Sequence, residues 1–183
     1  MQKRAFIIHG WNGRPNEAWK GWLKRELEKN GFEVFAPAMP NPANPKMKEW
    51  VMRIAKLVGN ADENCCFIGH SLGCIAILRY IETLNGRKAG CAVLVAGFSD
   101  DLGIEELHDF FTKPIDWNKI KSNCREFIAI HSDNDPYIAL RYGDIFREKL
   151  DAKVIVEHNM LHFSESAKLQ SALESILETS GKV

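Results

Sequence analysis

The serine of Gly69-His70-Ser71-Leu72-Gly73 is the side chain best placed to do chemistry. An apolar run, 65–68, precedes it, and a helical pattern follows it over 74–84. A Gly-x-Ser-x-Gly motif between a strand and a helix is typical of a nucleophile elbow, in which a strained backbone holds the hydroxyl clear of the sheet edge. Side chains at 69 and 73 would collide with the neighbouring strand and helix. An ordinary turn serine is the alternative, and five residues alone do not exclude it.

A serine hydroxyl is a weak nucleophile, so it needs a base, and the base needs an acid that orients it. Around an elbow of this kind, the chain order is serine, then aspartate or glutamate, then histidine, each after a later strand. Asp133 and Asp135 follow the apolar run 126–131, and His158 and His162 follow the run 153–157. The order of these residues and their placement after later strands both match, which favours a nucleophilic role for Ser71 over that of an ordinary turn serine.

The sequence favours one of the two aspartates and one of the two histidines. Pro136 suits the first position of a helix, which places Asp135 at the rim of the turn, so we predict Asp135 as the acid. We expect Asp133 to satisfy loop amides. His162 lies on a loop from which it can reach the serine, so we predict it as the base and His158 as a surface residue. His70 adjoins Ser71 and is expected to point away from it.

The segment His9-Gly10-Trp11-Asn12-Gly13 directly follows the first apolar run. In hydrolases with an elbow, the loop at this position supplies one amide of the oxyanion hole, and the residue after the serine supplies the other. We therefore predict the amides of Trp11 and Leu72 as donors, with Gly10 allowing the backbone to approach the serine. The alternative is that the two glycines serve only a loop turn.

The elements that must position these residues alternate along the whole chain. Six runs have the length of strands: 5–9, 32–36, 65–69, 91–97, 126–131 and 153–157. Several are apolar without alternation, as strands covered on both faces are, and helical patterns separate them. This pattern predicts a single domain over 1–183, a three-layer α/β/α sandwich with a six-stranded parallel sheet. Ligands of such sheets bind beyond the carboxyl ends of the strands.

The composition limits the classes of partner that the protein could bind. Lysine plus arginine equals aspartate plus glutamate, 24 each, and no basic stripe indicates a nucleic-acid partner. No apolar run is long enough for a transmembrane helix, so we expect no membrane partner. The charges between Lys20 and Lys29 predict a solvated helix face. The sequence does not indicate the oligomeric state.

Metal and cofactor motifs are absent from the sequence. It contains no zinc-finger spacing, no His-Glu-x-x-His, no P-loop and no dinucleotide fingerprint, so we expect neither a metal nor a cofactor. The five cysteines are odd in number, and most lie in apolar runs. We interpret them as buried reduced thiols of a cytoplasmic protein.

Two longer stretches resemble a known family. Residues 21–42, GWLKRELEKNGFEVFAPAMPNP, and residues 110–124, FFTKPIDWNKIKSNC, which run on to SDNDPYI at 132–138, are similar to small α/β-hydrolase-fold serine hydrolases typified by retinoblastoma-binding protein 9. The likeness covers nearly the whole chain. The Leu-x-Cys-x-Glu stretch through which such a protein could dock on the retinoblastoma pocket does not occur here, so that partner is not carried over.

The resemblance implies a Ser71–Asp135–His162 triad and a carboxylesterase-like enzyme acting on a small acyl substrate. It also implies a compact sheet of order 2-1-3-4-5-6 without a large lid domain, with 98–124 forming a short helical cover near the active site. His9, Phe98, Phe111 and Trp117 are candidate pocket walls. For Phe111 and Trp117, packing that fixes the segment on the body is the alternative. A low-turnover binding module and an amide- or peptide-cleaving enzyme with the same triad both remain open.

Overall fold

The strands of the computed structural model, which describes residues 2–181, form where the apolar runs predict them, within about two residues. They are β1 (Arg4–Ile8), β2 (Glu33–Phe35), β3 (Cys65–His70), β4 (Ala89–Val95), β5 (Cys124–Ser132) and β6 (Lys153–Glu157). All pair in parallel in one sheet of order β2-β1-β3-β4-β5-β6, which confirms the predicted topology. Strands β3 and β4 are buried along their full length, which explains why their sequences lack alternation.

The helices follow the predicted periodicity. They are α1 (Trp19–Lys29), α2 (Met47–Val58), α3 (Leu72–Glu82), α4 (Trp117–Ser122), α5 (Arg141–Leu150) and α6 (Gln170–Ser180), with a 3-10 helix over Glu105–Phe111. Helix α1 contacts α6, while α2 contacts α3, α3 contacts α4 and α4 contacts α5. The two groups form the outer layers of the sandwich. None of the helices within residues 2–181 is long and apolar enough to cross a membrane.

The segment over 98–124 contains the 3-10 helix and α4 instead of a long loop. The buried Arg79 of α3 holds this segment in place. The Arg79 guanidinium donates to three backbone carbonyls of the segment, those of Phe110 at 2.9 Å, Pro114 at 3.1 Å and Lys113 at 2.5 Å. Asp109 accepts a hydrogen bond from the Met47 amide at the start of α2. The segment is therefore anchored to the body through α3 and α2.

The interpretation of all five cysteines as reduced thiols is wrong for one pair. Cys66 and Cys91 form a disulfide between the adjacent strands β3 and β4, where they are direct partners with Cα atoms 4.8 Å apart. The pairing depends on the register of two strands that are 25 residues apart in sequence. Spacing alone does not give that register. Cys65, Cys74 and Cys124 are free and buried, as expected.

Candidate active site

Ser71 stands at the turn between β3 and α3 with φ 53° and ψ −120°. This conformation is sparsely populated for a residue with a side chain and costs on the order of 1–3 kcal/mol. The surrounding hydrogen bonds hold it: the Ser71 amide donates to the Val95 carbonyl of β4 at 2.9 Å, and the Ser71 carbonyl accepts from the Cys74 amide at 2.9 Å. The strand pairing thus continues up to the serine before the chain turns sharply into the helix.

The glycines around the serine leave space for this turn. A Cβ atom at Gly73 would lie 2.3 Å from the Ile8 carbonyl oxygen, and one at Gly69 would lie 2.6 Å from the Cys74 nitrogen. Gly10 approaches from the loop after β1, where a Cβ atom would lie 3.0 Å from the Ser71 Cβ. The neighbours of Gly69 and Gly73 are backbone atoms that cannot move aside. The three glycines therefore allow β1, the elbow and α3 to pack in direct backbone contact.

Two aspartate–histidine pairs form between the loop after β5 and the loop after β6. In one, Asp135 Oδ2 lies 2.8 Å from His162 Nδ1, and in the other, Asp133 Oδ2 lies 2.6 Å from His158 Nδ1. The side chains of the first pair are 1% and 15% exposed for the aspartate and the histidine, against 36% and 78% for the second. Of the two pairs, only the His162 pair is shielded from water, and of these two histidines His162, not His158, lines the cavity at Ser71.

Asp135 is held as a carboxylate. Burial by itself raises the pKa of this carboxyl, but the His162 ring and the amides of Tyr137 and Ile138 outweigh burial and hold the pKa below its usual range. The two amides donate to Oδ1 at 2.9 and 3.0 Å, which leaves Oδ2 for the histidine. Because Oδ2 accepts from Nδ1–H, Nε2 is the nitrogen that is free to act as a base.

Asp133 satisfies a loop amide, as expected, and also binds His158. Its Oδ1 accepts from the Asn159 amide at 2.9 Å. One residue along, Asn134 Oδ1 accepts from the Leu161 amide at 2.9 Å, beside the base. The aspartate loop after β5 therefore fixes the path of the loop that carries His162.

His70 also fixes the His162 loop, a role that the sequence did not reveal. Its ring is buried, and Nε2 donates to the His162 carbonyl oxygen at 2.8 Å. Burial, reinforced by the charge of His162, lowers the pKa of His70 to about 3, so the ring is neutral at ordinary pH. His70 is thus a positioning residue for the His162 loop, and its ring also lines the cavity at Ser71.

The loop after β1 turns under the serine. His9 is buried, Nδ1 donates to the Gly10 carbonyl at 2.8 Å, and Nε2 accepts from the Met39 amide at 3.0 Å. The Gly13 amide donates to the Gly10 carbonyl at 3.0 Å, which closes the turn around Trp11. Both ring nitrogens of His9 are used by the backbone, so this residue shapes the loop.

A cavity of about 220 Å³ opens at Ser71. Its lining is mostly polar and comes from the loop after β1, the start of α1, the elbow and the loop that carries His162. The lining residues are Gly10, Trp11, Asn12, Gly13, Glu17, Lys20, His70, Ser71, His162 and Ser164. None of the four residues predicted as pocket walls belongs to this lining. Phe98 is buried beside Phe111, and Trp117 packs on Phe146, so these rings fix the 98–124 segment on the body.

One lysine departs from the predicted solvated helix face. Lys20 is only 3% exposed and belongs to the cavity lining. The prediction is therefore wrong for Lys20, because the first turn of α1 lies against the elbow, whereas Lys29 at the other end of the helix is exposed. A helical pattern shows which residues share a face but not which end of the helix abuts the site.

Comparison with known proteins decides the family. The model of a family described as serine hydrolase matches residues 5–178. The chain belongs to the serine hydrolase family. Serine hydrolase RBBP9 of Rattus norvegicus is 32% identical over 169 residues, which cover 89% of this chain and 88% of that protein. The predicted resemblance is confirmed at the level of the family.

Solved structures place this serine hydrolase among α/β hydrolases. The ydeN gene product of Bacillus subtilis superposes with a TM-score of 0.93 at 27% identity, covering 98% of this chain and 100% of that one. Est1E of Butyrivibrio proteoclasticus, solved with ferulic acid, superposes with a TM-score of 0.80 at 13% identity, covering 98% and 88%. The second likeness shows the fold alone. The family and the fold together identify the chain as a hydrolase.

Proposed function

We propose that this serine hydrolase cleaves small carboxylic esters by acyl transfer through Ser71, His162 and Asp135. The observation that carries the proposal is that Ser71 and His162 line one cavity while Asp135 binds the far nitrogen of the imidazole at 2.8 Å. A nucleophile, a base and an orienting acid in this relation are the parts that acyl transfer requires.

In the proposed reaction, His162 Nε2 takes the Ser71 proton as Oγ bonds to the acyl carbon. Asp135 stabilises the resulting imidazolium. The carbonyl oxygen gains the negative charge, and the amides of Leu72 and Trp11 receive it. Leu72 is the first residue of α3, so its amide has no intrahelical acceptor and lies at the positive end of the helix dipole.

Collapse of the tetrahedral intermediate breaks the ester bond. The leaving alkoxide takes the proton from His162, and the acyl group stays on Ser71. Water then gives a proton to the same imidazole as it attacks the acyl-enzyme, and Ser71 regains its proton when the acid departs. Ser71 and His162, which line the cavity, make and break the bonds, and Asp135 acts through His162.

Nitrophenyl esters of increasing acyl length, measured beside the matching nitroanilides, test this function. We expect hydrolysis of the short esters, and a loss of about 10³-fold or more in kcat for Ser71→Ala and for His162→Ala. A Ser71→Ala variant as active as the wild type would contradict the proposal. Turnover of the anilides but not the esters would favour an amide-cleaving enzyme, and no turnover of either would favour a binding module. A cytoplasmic location stays a prediction.

A further inference from the structure

Lys20 is a buried cation beside the proposed nucleophile. It lies in the first turn of α1, is 3% exposed and belongs to the lining of the Ser71 cavity. Its Nζ stands 5.6 Å from the centre of the Trp19 ring, which in turn meets the His70 ring edge-on at 5.9 Å. The ammonium therefore lies at the cavity beside the Trp19 ring, which packs on His70 of the elbow.

Among the residues that the structure describes, no carboxylate forms an ion pair with this ammonium. Within residues 2–181, Nζ forms no ion pair and no hydrogen bond; the Trp19 ring is its one close partner. Glu17 also lines the cavity and its charge acts on Lys20, but its side chain is exposed, and its Oε2 accepts from the Arg14 amide at 3.1 Å. A desolvated charge without a partner is costly, because the water that solvated it has not been replaced.

The surroundings of Lys20 favour an anion. Burial lowers the pKa of the Lys20 ammonium, and a bound negative charge would oppose that shift. The first turn of α1 contains no acidic residue, so the positive end of the helix dipole adds to the lysine charge. The field of Lys20 also reaches the His9 and His70 rings on either side of the elbow, where it opposes their protonation. Lys20 thus contributes positive potential at the cavity, which Glu17 partly offsets.

We propose that Lys20 binds a carboxylate of the substrate, so that the enzyme acts on small esters that carry a negative charge in the acyl or the alcohol part. This inference rests on the proposed hydrolysis at Ser71 and names its substrate class. An ammonium that is already desolvated and held by packing loses little on binding an anion and gains a charge-assisted hydrogen bond. The cavity of about 220 Å³ and its mostly polar lining suit a small charged substrate better than a long acyl chain.

Matched ester pairs test the proposal. For the acyl part, mono-4-nitrophenyl succinate is compared with 4-nitrophenyl butyrate; for the alcohol part, 4-carboxyphenyl acetate is compared with 4-methylphenyl acetate. In each pair, the ratio of kcat/KM for the anionic ester to that for the neutral ester is measured. Lys20→Met should lower this ratio about tenfold or more for the ester pair whose carboxylate binds Lys20, because a hydrogen bond to a charged group is lost.

Two further variants separate charge from packing. Lys20→Arg keeps a cation in the cavity and should retain most of the ratio. Lys29→Met removes the same charge from the exposed end of α1, where Lys29 pairs with Glu26, and should leave the ratio unchanged. A ratio that is the same for the wild type and Lys20→Met in both ester pairs would overturn the proposal, even if all rates fell together.

A binding measurement separates this inference from the proposed hydrolysis. Calorimetric titration needs no turnover, so the Ser71→Ala variant is titrated with succinate and with neutral succinamide. We expect succinate to bind more tightly, and the double variant Ser71→Ala/Lys20→Met to lose that preference. Succinate binding that depends on Lys20 in a protein without any ester turnover would support the anion site and reject the hydrolase function. Equal or absent binding of succinate in both variants would contradict the anion site.

Discussion

At the scale of single residues, the site separates two chemically identical aspartate–histidine pairs by burial. Asp133 and His158 face water, where an imidazole can rotate and a carboxylate is screened. Asp135 and His162 are shielded, and two amides fix the carboxylate. The same two residue types therefore give a surface ion pair in one case and a shielded, oriented imidazole in the other, as the proposed base requires. The sequence order alone did not separate them.

Substitution of each aspartate tests this difference. Asp135→Asn should lower kcat for ester hydrolysis about 10³-fold or more, because the amide no longer fixes the His162 tautomer. Asp133→Asn should change kcat by less than about threefold, because asparagine keeps the Oδ1 that accepts from the Asn159 amide and the lost partner, His158, does not line the cavity. Steady-state kinetics on one short ester measure both, and comparable losses in the two variants would contradict the assignment of the acid.

At the scale of elements, the end of β3 links the elbow to the loop that carries His162, the proposed base. His70 donates from the strand end to the His162 carbonyl, 92 residues away in sequence. His70→Ala should lower kcat about tenfold with little change in KM, because the base loop loses a fixed point. His70→Gln keeps a donor and should recover part of the loss. Equal kcat in the two variants would show that the hydrogen bond does not position the base.

The contact between β1 and α3 constrains Gly73. An added methyl group would lie 2.3 Å from the Ile8 carbonyl oxygen and 2.8 Å from that of His9. Gly73→Ala should therefore lower the free energy of unfolding by about 3 kcal/mol or more, since the obstructing atoms are backbone. Gly181→Ala is the matched control, because its added methyl would meet nothing closer than 3.4 Å. Urea denaturation of both variants measures the difference, and equal stabilities would refute the packing argument.

At the scale of the whole molecule, two neutral histidines couple stability to pH. Burial lowers the pKa of His131 to about 4 and that of His70 to about 3, and both ring nitrogens of His131 are buried without a hydrogen-bond partner. The unfolded chain, with histidine pKa near 6.5, binds more protons than the folded chain below that pH. The stability from these groups is full above about pH 6.5 and declines as the pH falls toward 4.

This linkage predicts a loss of roughly 2–3 kcal/mol in the free energy of unfolding between pH 6.5 and 5, because each histidine contributes up to about 1.4 kcal/mol per pH unit. Urea denaturation at several pH values measures it. His131→Gln should flatten the dependence, whereas His108→Gln, a change at an exposed site, should not. A free energy of unfolding that is constant between pH 7 and 5 would show that these histidines do not control stability.

The sequence predicted the sheet and the order of the candidate triad because both follow from local patterns. An apolar run gives a strand, and the parallel crossover rule places the strand ends together. The burial of Lys20, the Cys66–Cys91 bond and the His70 contact depend instead on register and on the paths of loops. The predicted pocket walls do not line the cavity at Ser71 for the same reason: Phe98 and Phe111 pack against each other and the body, while short polar loops line the cavity.

The central claim is that Ser71 is the nucleophile activated by His162. The most direct test is treatment with a fluorophosphonate, followed by intact mass measurement and peptide mapping. We predict a single adduct on Ser71 in the wild-type protein, none in Ser71→Ala, and labelling slowed about 10³-fold or more in His162→Ala. A wild-type protein that stays unlabelled, or an adduct on another residue, would contradict the account.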